Sequence, residues 1–370
     1  MNENENVYKA EKPVKKKRRI ARKVIILILV LLFLMIALAY GYFHNKYSQI
    51  YGQWGKEYAE DYESAVNVSD ELTEAMRETI IIDKLQPMEA VEAEGDVVWD
   101  DDVFNVLLIG TDERTDGSYS DNARGDACML LSINISGNSP VISLVSLERG
   151  MGVPILEGPY AGQWDWLTHT FRYGGAELLM EEVSEVLKVD VDYYIRINFN
   201  IFVHTIDTLG GVTVNFDAAE AEAFQKGGYV NAVVGYNHLD GENALKYARL
   251  RYIDSDWVRV QRQREIVLSI FEKCRHKSFE ELDSLVDEIL PLVRTNIPES
   301  KVAELMKIVP SLPDAKTQQM TIPVQGTYGH MTGMGGRSMF AVDFEKNSQI
   351  LKDFIYPQFK VAQEKPDTAQ

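Results

Sequence analysis

The chain has 370 residues, 45% hydrophobic and 25% charged, which gives enough apolar side chains for one large or two medium folded domains. Its formal net charge of −18 excludes a body that grips nucleic acid through a broad basic face. The charge is uneven. Residues 1–23 hold nine basic and three acidic residues, a net +6 that leaves −24 on the rest of the chain. Cys128 and Cys274 are too few for a disulfide scaffold. They read as buried free thiols, with one long-range bridge as the alternative.

The basic tail (1–23) runs straight into "VIILILVLLFLMIALAYGYF", residues 24–43, whose first sixteen residues are all apolar. At 1.5 Å rise per residue, twenty helical residues span about 30 Å, the thickness of a bilayer core. Basic residues before such a span predict a cytoplasmic N-terminus, a single pass through the cell membrane and an extracellular body. Tyr40, Tyr42 and Phe43 fall where an interfacial aromatic belt lies. "ALA" at 37–39 supports the competing reading, a cleaved signal peptide; either reading exports the body.

Residues 44–98 predict a helical stalk and then an acidic linker, "PMEAVEAEGD", with the body starting near Val98. "VFNVLLIG" (103–110), "ACMLLSINI" (127–135) and "PVISLVSL" (140–147) read as buried strands, and the polar stretch between the first two reads as a loop. An amphipathic helix is expected over 174–189, a strand at "DYYIRIN", a helix over 199–211 closing on a glycine pair, and a strand at "VTVNF". Two more helices follow, in "DGENALKYAR" and "VQRQREIVLSIFEKCR". Strands alternating with helices predict an α/β sheet covered on both faces. The body is expected to extend to residue 360, with a disordered tail at 361–370.

Ligands of α/β proteins gather at strand ends. Asp112 and Arg114 follow the first strand, and Arg124 and Asp126 precede the second. If those strands are neighbours, Asp112 and Asp126 converge. Paired carboxylates need a cation between them, and oxygen ligands in small number suit Mg²⁺ or Mn²⁺ beside phosphate oxygens. Two solvated loop aspartates are the plain alternative. Arg149 ends the third strand. Farther on, "ARLRYIDSDWVRVQRQRE" (248–265) packs five arginines into eighteen residues of an acidic chain. Arg249 and Arg251 share a side of an extended segment. Arg259, Arg262 and Gln263 share a helix face, and Arg264 falls off it, which predicts a solvated residue. Guanidinium forks suit phosphate. An arginine–carboxylate network with Asp254, Asp256 and Glu265 is the alternative. The aromatics of "PYAGQWDWLTHTFRYGG" read either as a sugar-stacking cleft or as core, and His169 reads as a hydrogen-bonded structural residue.

"FNVLLIGTDER", "ARGDACMLLSIN", "VSLERG", "THTFRYGG", "DYYIRINFNIFVHTIDTLGGVTV", "LDGENALKYARLR" and "RVQRQRE" together resemble the LytR–CpsA–Psr family over residues 103–272. The resemblance implies a central mixed β-sheet flanked by helices on both faces, preceded by one transmembrane helix. It implies a phosphotransferase that moves a glycopolymer from a polyprenyl-pyrophosphate carrier, its lipid held in an apolar tunnel, to peptidoglycan or another cell-wall acceptor. By position, Asp112 and Asp126 match the family's metal-associated aspartates, implying Mg²⁺ or Mn²⁺. Arg124, Arg149, Arg249, Arg251 and Arg259 match its pyrophosphate-binding arginines, and Gln263 its site glutamine. The chain departs from the family pattern at Glu148-Arg149-Gly150, where Pro-Arg-Asp is usual, and at Trp166-Leu167-Thr168-His169, where Lys-Ile-Asn-His is usual. It also has Val258 where a glycine usually precedes the next arginine. A site carboxylate and a site lysine are thereby lost. A lipid-pyrophosphate hydrolase, or a weakened scaffold that keeps the fold, are the alternative functions.

Overall fold

The computed structural model describes residues 82–111, 125–250 and 256–356. The basic tail, the apolar span, nearly all of the expected stalk and the C-terminal tail lie outside the described residues, as does most of the loop joining the first two strands. Among the described residues, no helix is long and apolar enough to cross a membrane.

The elements run in chain order. β1 (Val103–Thr111), β2 (Ala127–Asn134) and β3 (Val141–Leu147) precede a small hairpin of β4 (Gly152–Pro154) and β5 (Trp164–Trp166). Then come α1 (Leu167–Leu187), β6 (Tyr193–Asn198), α2 (Phe199–Thr208), β7 (Val212–Phe216), α3 (Ala218–Lys226), β8 (Gly235–Leu239), α4 (Gly241–Ala248) and α5 (Asp256–Cys274). The last part holds α6 (Phe279–Ile289), β9 (Arg294–Thr295), α7 (Glu299–Leu305), β10 (Lys316–Ile322), β11 (Tyr328–Thr332), β12 (Ser338–Val342) and α8 (Phe344–Ile355).

Six strands form one sheet in the order β10-β3-β2-β1-β6-β9. β3 is parallel to β10, β1 is parallel to β6, and the other pairings are antiparallel, so the sheet is mixed as expected. Register decides what meets at its edge. Gly110 stands opposite Ala127, Thr111 beside Asn198, and Ile322 beside Leu147. The carboxyl ends of β1, β3, β6 and β10 therefore share one edge with the start of β2.

Alternation along the strands sends side chains to two covered faces. Leu107, Ile109, Cys128, Leu130, Val145 and Leu147 pack with α1 and α8 in one apolar cluster. On the opposite face lies α5, where the Ser146 hydroxyl donates to the Val260 carbonyl at 3.4 Å. Asn105 interrupts the apolar run of β1, and its amide donates to the Asp190 carbonyl at 2.7 Å and the Tyr356 hydroxyl at 2.8 Å. The buried amide nitrogen is thereby satisfied.

A second apolar cluster joins β7, β8, α3, α4 and the outer side of α5 around Val212, Val214, Phe216, Tyr247 and Ile266. The "LDGENALKYA" sequence follows from helix contact here. A Cβ on Gly241 would meet the Val203 carbonyl oxygen at 2.3 Å, so α4 starts against α2 only with glycine. Asp240 caps α4 by accepting from the Asn243 N–H at 2.9 Å.

Two expectations change. The helix expected over 174–189 begins at Leu167 and is broken at Gly174-Gly175, where Gly175 takes a positive φ of 73°. The acidic stretch before Val98 is stitched to the body. Met88 N–H donates to the His330 carbonyl at 2.9 Å, Val91 N–H to the Val342 carbonyl at 3.0 Å, and Ile82 is buried in the core. Its glutamates face solvent while its backbone makes the bonds, so side-chain pattern does not reveal the attachment. Finally, Cys128 and Cys274 are both free thiols, as the primary reading expects, and burial pushes the Cys128 thiol up to about 12.

Glu182 on α1 is fully buried, and its carboxylate accepts the Leu156 N–H at 2.7 Å. Burial outweighs that bond and, with Glu181 adding repulsion, raises its carboxyl to about 7. The folded state thus holds a proton that the unfolded chain releases near the ordinary carboxyl value. Stability falls as pH rises from there to about 7 and stays lost above it. Glu182→Gln keeps the acceptor without the charge. It is expected to match the parent near pH 4.5 and to exceed it by on the order of 2–3 kcal/mol at pH 8, by urea unfolding. Parallel stability–pH curves for the two proteins would count against a neutral buried Glu182.

Candidate functional site

The sheet edge brings together residues that are distant in sequence. Asp126 stands immediately before β2, and Arg149 lies two residues past β3. The antiparallel β2–β3 pairing places them side by side, with the Arg149 guanidinium donating to the Asp126 carboxylate at 3.4 Å. Arg149 is nearly enclosed, 6% exposed along its side chain, whereas Asp126 is 23% exposed. The guanidinium carbon lies 5.5 Å from the centre of the Trp166 ring. A cation held this way, with a partly open carboxylate as partner, can accept an incoming anion without moving far.

Arg249 closes α4, and its guanidinium sits over Phe199, 4.7 Å from the ring centre. Phe199 directly follows β6, so Arg249 reaches the same edge. Its side chain is half-buried. Arg259 is fully buried on α5, and the Gln263 amide donates to the Ala248 carbonyl at 3.4 Å, tying α5 to the end of α4. Of the residues expected at the site, Asp126, Arg149, Arg249, Arg259 and Gln263 are described; Asp112, Arg124 and Arg251 lie outside the described residues, as does Asp254.

Two arginines of the same run are structural. Arg262 is 1% exposed and donates to Glu220 at 2.6 Å and to the Leu250 carbonyl at 2.6 Å. Glu220 also completes the capping box of α3 with Asp217. Arg264 corrects the expectation of a solvated residue. It is 7% exposed and donates to Gln319 at 2.7 Å, Ser146 at 2.9 Å, Thr321 at 2.9 Å and the Met320 carbonyl at 2.8 Å. A single buried stripe does not describe α5, which packs against the sheet on one side and against β7 and α4 on the other. Glu265 belongs to the same framework, accepting from the Tyr247 hydroxyl at 2.7 Å and the Asn215 N–H at 2.6 Å. The arginine–carboxylate alternative therefore holds for Arg262, through Glu220 rather than the carboxylates near it in sequence.

Arg337 was not singled out from sequence. Its guanidinium carbon lies 5.9 Å from the centre of the Trp166 ring, and the group pairs with Asp165. Trp166 occupies the position where the resembling family carries lysine, so a cation from the loop before β12 stands beside the indole. Arg172, closer to Trp166 in sequence, is exposed. No local pattern signals Arg337, because it joins the site across more than 160 residues of chain. The loss of the usual aspartate at Gly150 also has a packing cause. A Cβ there would meet the Phe340 ring at 3.2 Å, and the Phe340 N–H donates to the Gly150 carbonyl at 2.9 Å. Of the aromatic stretch, Trp166 and Phe171 are core, whereas Tyr160 is 40% exposed and pairs with Tyr173 at 4.9 Å between ring centres.

Metal chemistry has one described donor. Asp126 offers a partly open carboxylate, and Asp112 follows Thr111, the last residue of β1, in sequence. Mg²⁺ takes one or two protein carboxylates and completes its shell with water and phosphate oxygens, so this donor set fits it. Among the described residues, no group of three or more His, Cys, Asp or Glu could hold a metal ion.

A mixed α/β sheet that collects arginines and a carboxylate at one edge defines an α/β protein with a cationic cluster at the carboxyl ends of its strands. More narrowly, the chain belongs to the LytR_cpsA_psr family, whose model matches residues 62–354. It is 33% identical over 225 residues to the polyisoprenyl-teichoic acid–peptidoglycan teichoic acid transferase TagT of Bacillus subtilis, covering 60% of this chain and 68% of that protein. It is 34% identical over 174 residues to the transferase TagU of Bacillus licheniformis, covering 46% of this chain and 52% of TagU. An uncharacterized Staphylococcus aureus protein is 32% identical over 212 residues, 55% of this chain and 51% of that protein. The match thus spans about half the length of the last two relatives. A crystal structure of a Streptococcus agalactiae protein superposes with a TM-score of 0.58 at 25% identity, covering 70% of this chain and 88% of that one. The structure of TagT bound to LIIa-WTA does so with a TM-score of 0.54 at 25% identity, covering 74% and 97%.

Substitutions should separate the two kinds of arginine. Arg149→Ala and Arg249→Ala are expected to weaken binding of a short-chain polyprenyl pyrophosphate roughly ten- to a hundred-fold in calorimetry, the loss of a charge-assisted contact. Arg262→Met leaves the buried Glu220 without its partner and is expected to lose about 3–5 kcal/mol of stability in urea while binding the ligand as the parent does. Equal affinity losses at all three positions would contradict the division.

Proposed function

We propose that the protein is a membrane-anchored phosphotransferase that moves a glycopolymer from a polyprenyl-pyrophosphate carrier to peptidoglycan or another envelope acceptor. The observation that carries this reading is the enclosed Arg149 guanidinium against the partly open Asp126 at the carboxyl edge of the sheet. A strongly acidic protein that brings arginines to one edge has a use for them as anion ligands. The names of TagT and TagU supply the chemistry: a polyisoprenyl-linked teichoic acid as donor and peptidoglycan as acceptor. The apolar run at 24–43, with its basic flank, supports an anchor that holds the body outside the cell membrane, next to a lipid-borne substrate.

In this reading Arg149 and Arg249, with Arg124, Arg251 and Arg259, hold the diphosphate by its oxygens. An acceptor hydroxyl attacks the phosphorus that carries the glycan. The arginines stabilise the charge that builds on the transferred phosphoryl group and on the departing lipid phosphate. Asp126 and Asp112 would hold Mg²⁺ or Mn²⁺, which would supply Lewis-acid stabilisation of the phosphate oxygens. Arg337 stands in for the lysine that Trp166 replaces, which favours an active enzyme over a weakened scaffold.

The test is transfer from a lipid-linked glycopolymer to peptidoglycan by the full-length protein, with and without Mg²⁺. Asp112→Asn and Asp126→Asn are each expected to remove most of the Mg²⁺-dependent transfer. The double variant is expected to be scarcely worse than either single one, because groups that act through one ion are non-additive. Released polymer with none on peptidoglycan would identify a hydrolase, and defects that multiply would overturn the shared ion.

A further inference from the structure

A second polar cluster lies next to Arg149, around the β4–β5 hairpin. Asp165 is completely buried, and each of its oxygens has two partners. One accepts from the Trp166 N–H at 2.8 Å and from Arg337. The other accepts from the Tyr173 hydroxyl at 2.6 Å and lies 3.1 Å from His169 Nδ1. Burial alone would raise this carboxyl, but the hydrogen bonds from His169, Tyr173 and Arg337, with the attraction of His169, hold it well below the usual range. Asp165 is therefore a permanent anion facing Nδ1. Arg337 also comes within 3.0 Å of Nδ1, a contact that follows from its own bond to Asp165, since the carboxylate is the stronger acceptor. An anion at Nδ1 places the imidazole proton there and leaves the lone pair on Nε2. Nε2 has no hydrogen-bond partner among the described residues. A ring held only to keep the fold has no need of that arrangement.

The position is as informative as the chemistry. The His169 ring stacks on Trp166 with 5.3 Å between centres, and the same indole carries Arg149 at 5.5 Å. One indole thus touches both His169 and the guanidinium assigned to phosphate. An attacking oxygen lies about 3 Å from the phosphorus and about 3 Å from its base, so a base that shares a contact residue with that guanidinium stands on the scale of distance the step requires. Beside it, Tyr160 and Tyr173 offer an aromatic ledge, and the Tyr173 hydroxyl is fixed by Asp165. Flat rings of this kind suit the faces of sugars.

We propose that His169 is the general base that takes the proton of the acceptor hydroxyl, with Asp165 as the residue that positions it and the Tyr160–Tyr173 ledge as the seat of the acceptor sugar. The proposal rests on the transferase reading above and names the acceptor side of that site. In the step, the acceptor oxygen forms a bond to the glycan-bearing phosphorus as its proton passes to Nε2. The bond from that phosphorus to the bridging oxygen breaks, and lipid phosphate leaves with the electron pair. The imidazolium, paired with Asp165, then returns its proton to solvent. The charged and titratable groups that face the ring are Asp165 on β5, Tyr173 on α1 and Arg337 before β12, with Arg149 against the same indole.

The test uses the full chain with a polyprenyl-pyrophosphate-linked glycan as donor and a peptidoglycan-derived glycan as acceptor. Donor affinity and single-turnover transfer are measured separately. His169→Gln is expected to bind donor within twofold of the parent and to transfer roughly 10²- to 10⁴-fold more slowly. His169→Ala is expected to regain part of its rate when imidazole is added, a recovery that a structural role does not give. Asp165→Asn, which favours the wrong tautomer, is expected to slow transfer with donor affinity retained. Donor affinity also reports folding, and should a variant lose it, imidazole rescue of the other His169 variant decides. Parental transfer by His169→Gln overturns this proposal alone. A parent that binds donor but never transfers overturns the transferase reading, and this proposal with it.

Discussion

A guanidinium taken out of water must find acceptors, and much of this structure is arranged around that requirement. Arg262 finds Glu220, and through it ties α5 to the cap of α3. Arg264 finds four neutral oxygens on β3 and β10, and so fixes α5 on the sheet. Both are fully matched within the protein. Arg149 is different in kind, because its carboxylate partner is partly open to solvent and stands at the strand ends. Under the proposed function, that openness is what lets the cation serve a ligand. The same residue type is thus framework in the middle of α5 and site at the edge of the sheet.

The strands that make that edge were legible in the sequence. β1, β2 and β3 are buried on both faces, so continuous runs such as "VFNVLLIG" stand out from their polar surroundings. Asp126 and Arg149 were legible as residues at strand ends, but their contact depends on the antiparallel register of β2 and β3, which no local signal states. Arg264 was misread because a helix face has meaning only once its neighbours are known. α5 is covered on two sides, and leaving one stripe meant entering another. The segment from Ile82 to Val98 was misread for a related reason: backbone hydrogen bonds hold it, and its glutamates point to solvent. β10, β11, β12 and Arg337 lie in a region where short strands and turns leave little periodicity.

Where the chain leaves the family pattern, the structure supplies local reasons. Gly150 is pressed against Phe340, which itself packs on Trp257 and Tyr328. Trp166 removes a lysine from the site but offers its ring to Arg149, Arg337 and His169 together. Its indole N–H donates to the Ser338 carbonyl at 2.8 Å, so the ring is fixed rather than merely packed. Gly150 and Trp166 are thus each held by packing and hydrogen bonding within the body.

The central claim is that the carboxyl edge of the sheet receives a diphosphate. Crystals soaked with a short-chain polyprenyl pyrophosphate test it most directly. The account predicts phosphate oxygens within hydrogen-bond distance of the Arg149 guanidinium, between the ends of β1 and β3, with the Arg262–Glu220 pair and the Arg264 contacts unchanged. Diphosphate bound elsewhere, with the Arg149–Asp126 pair intact and no phosphate beside it, would contradict the account.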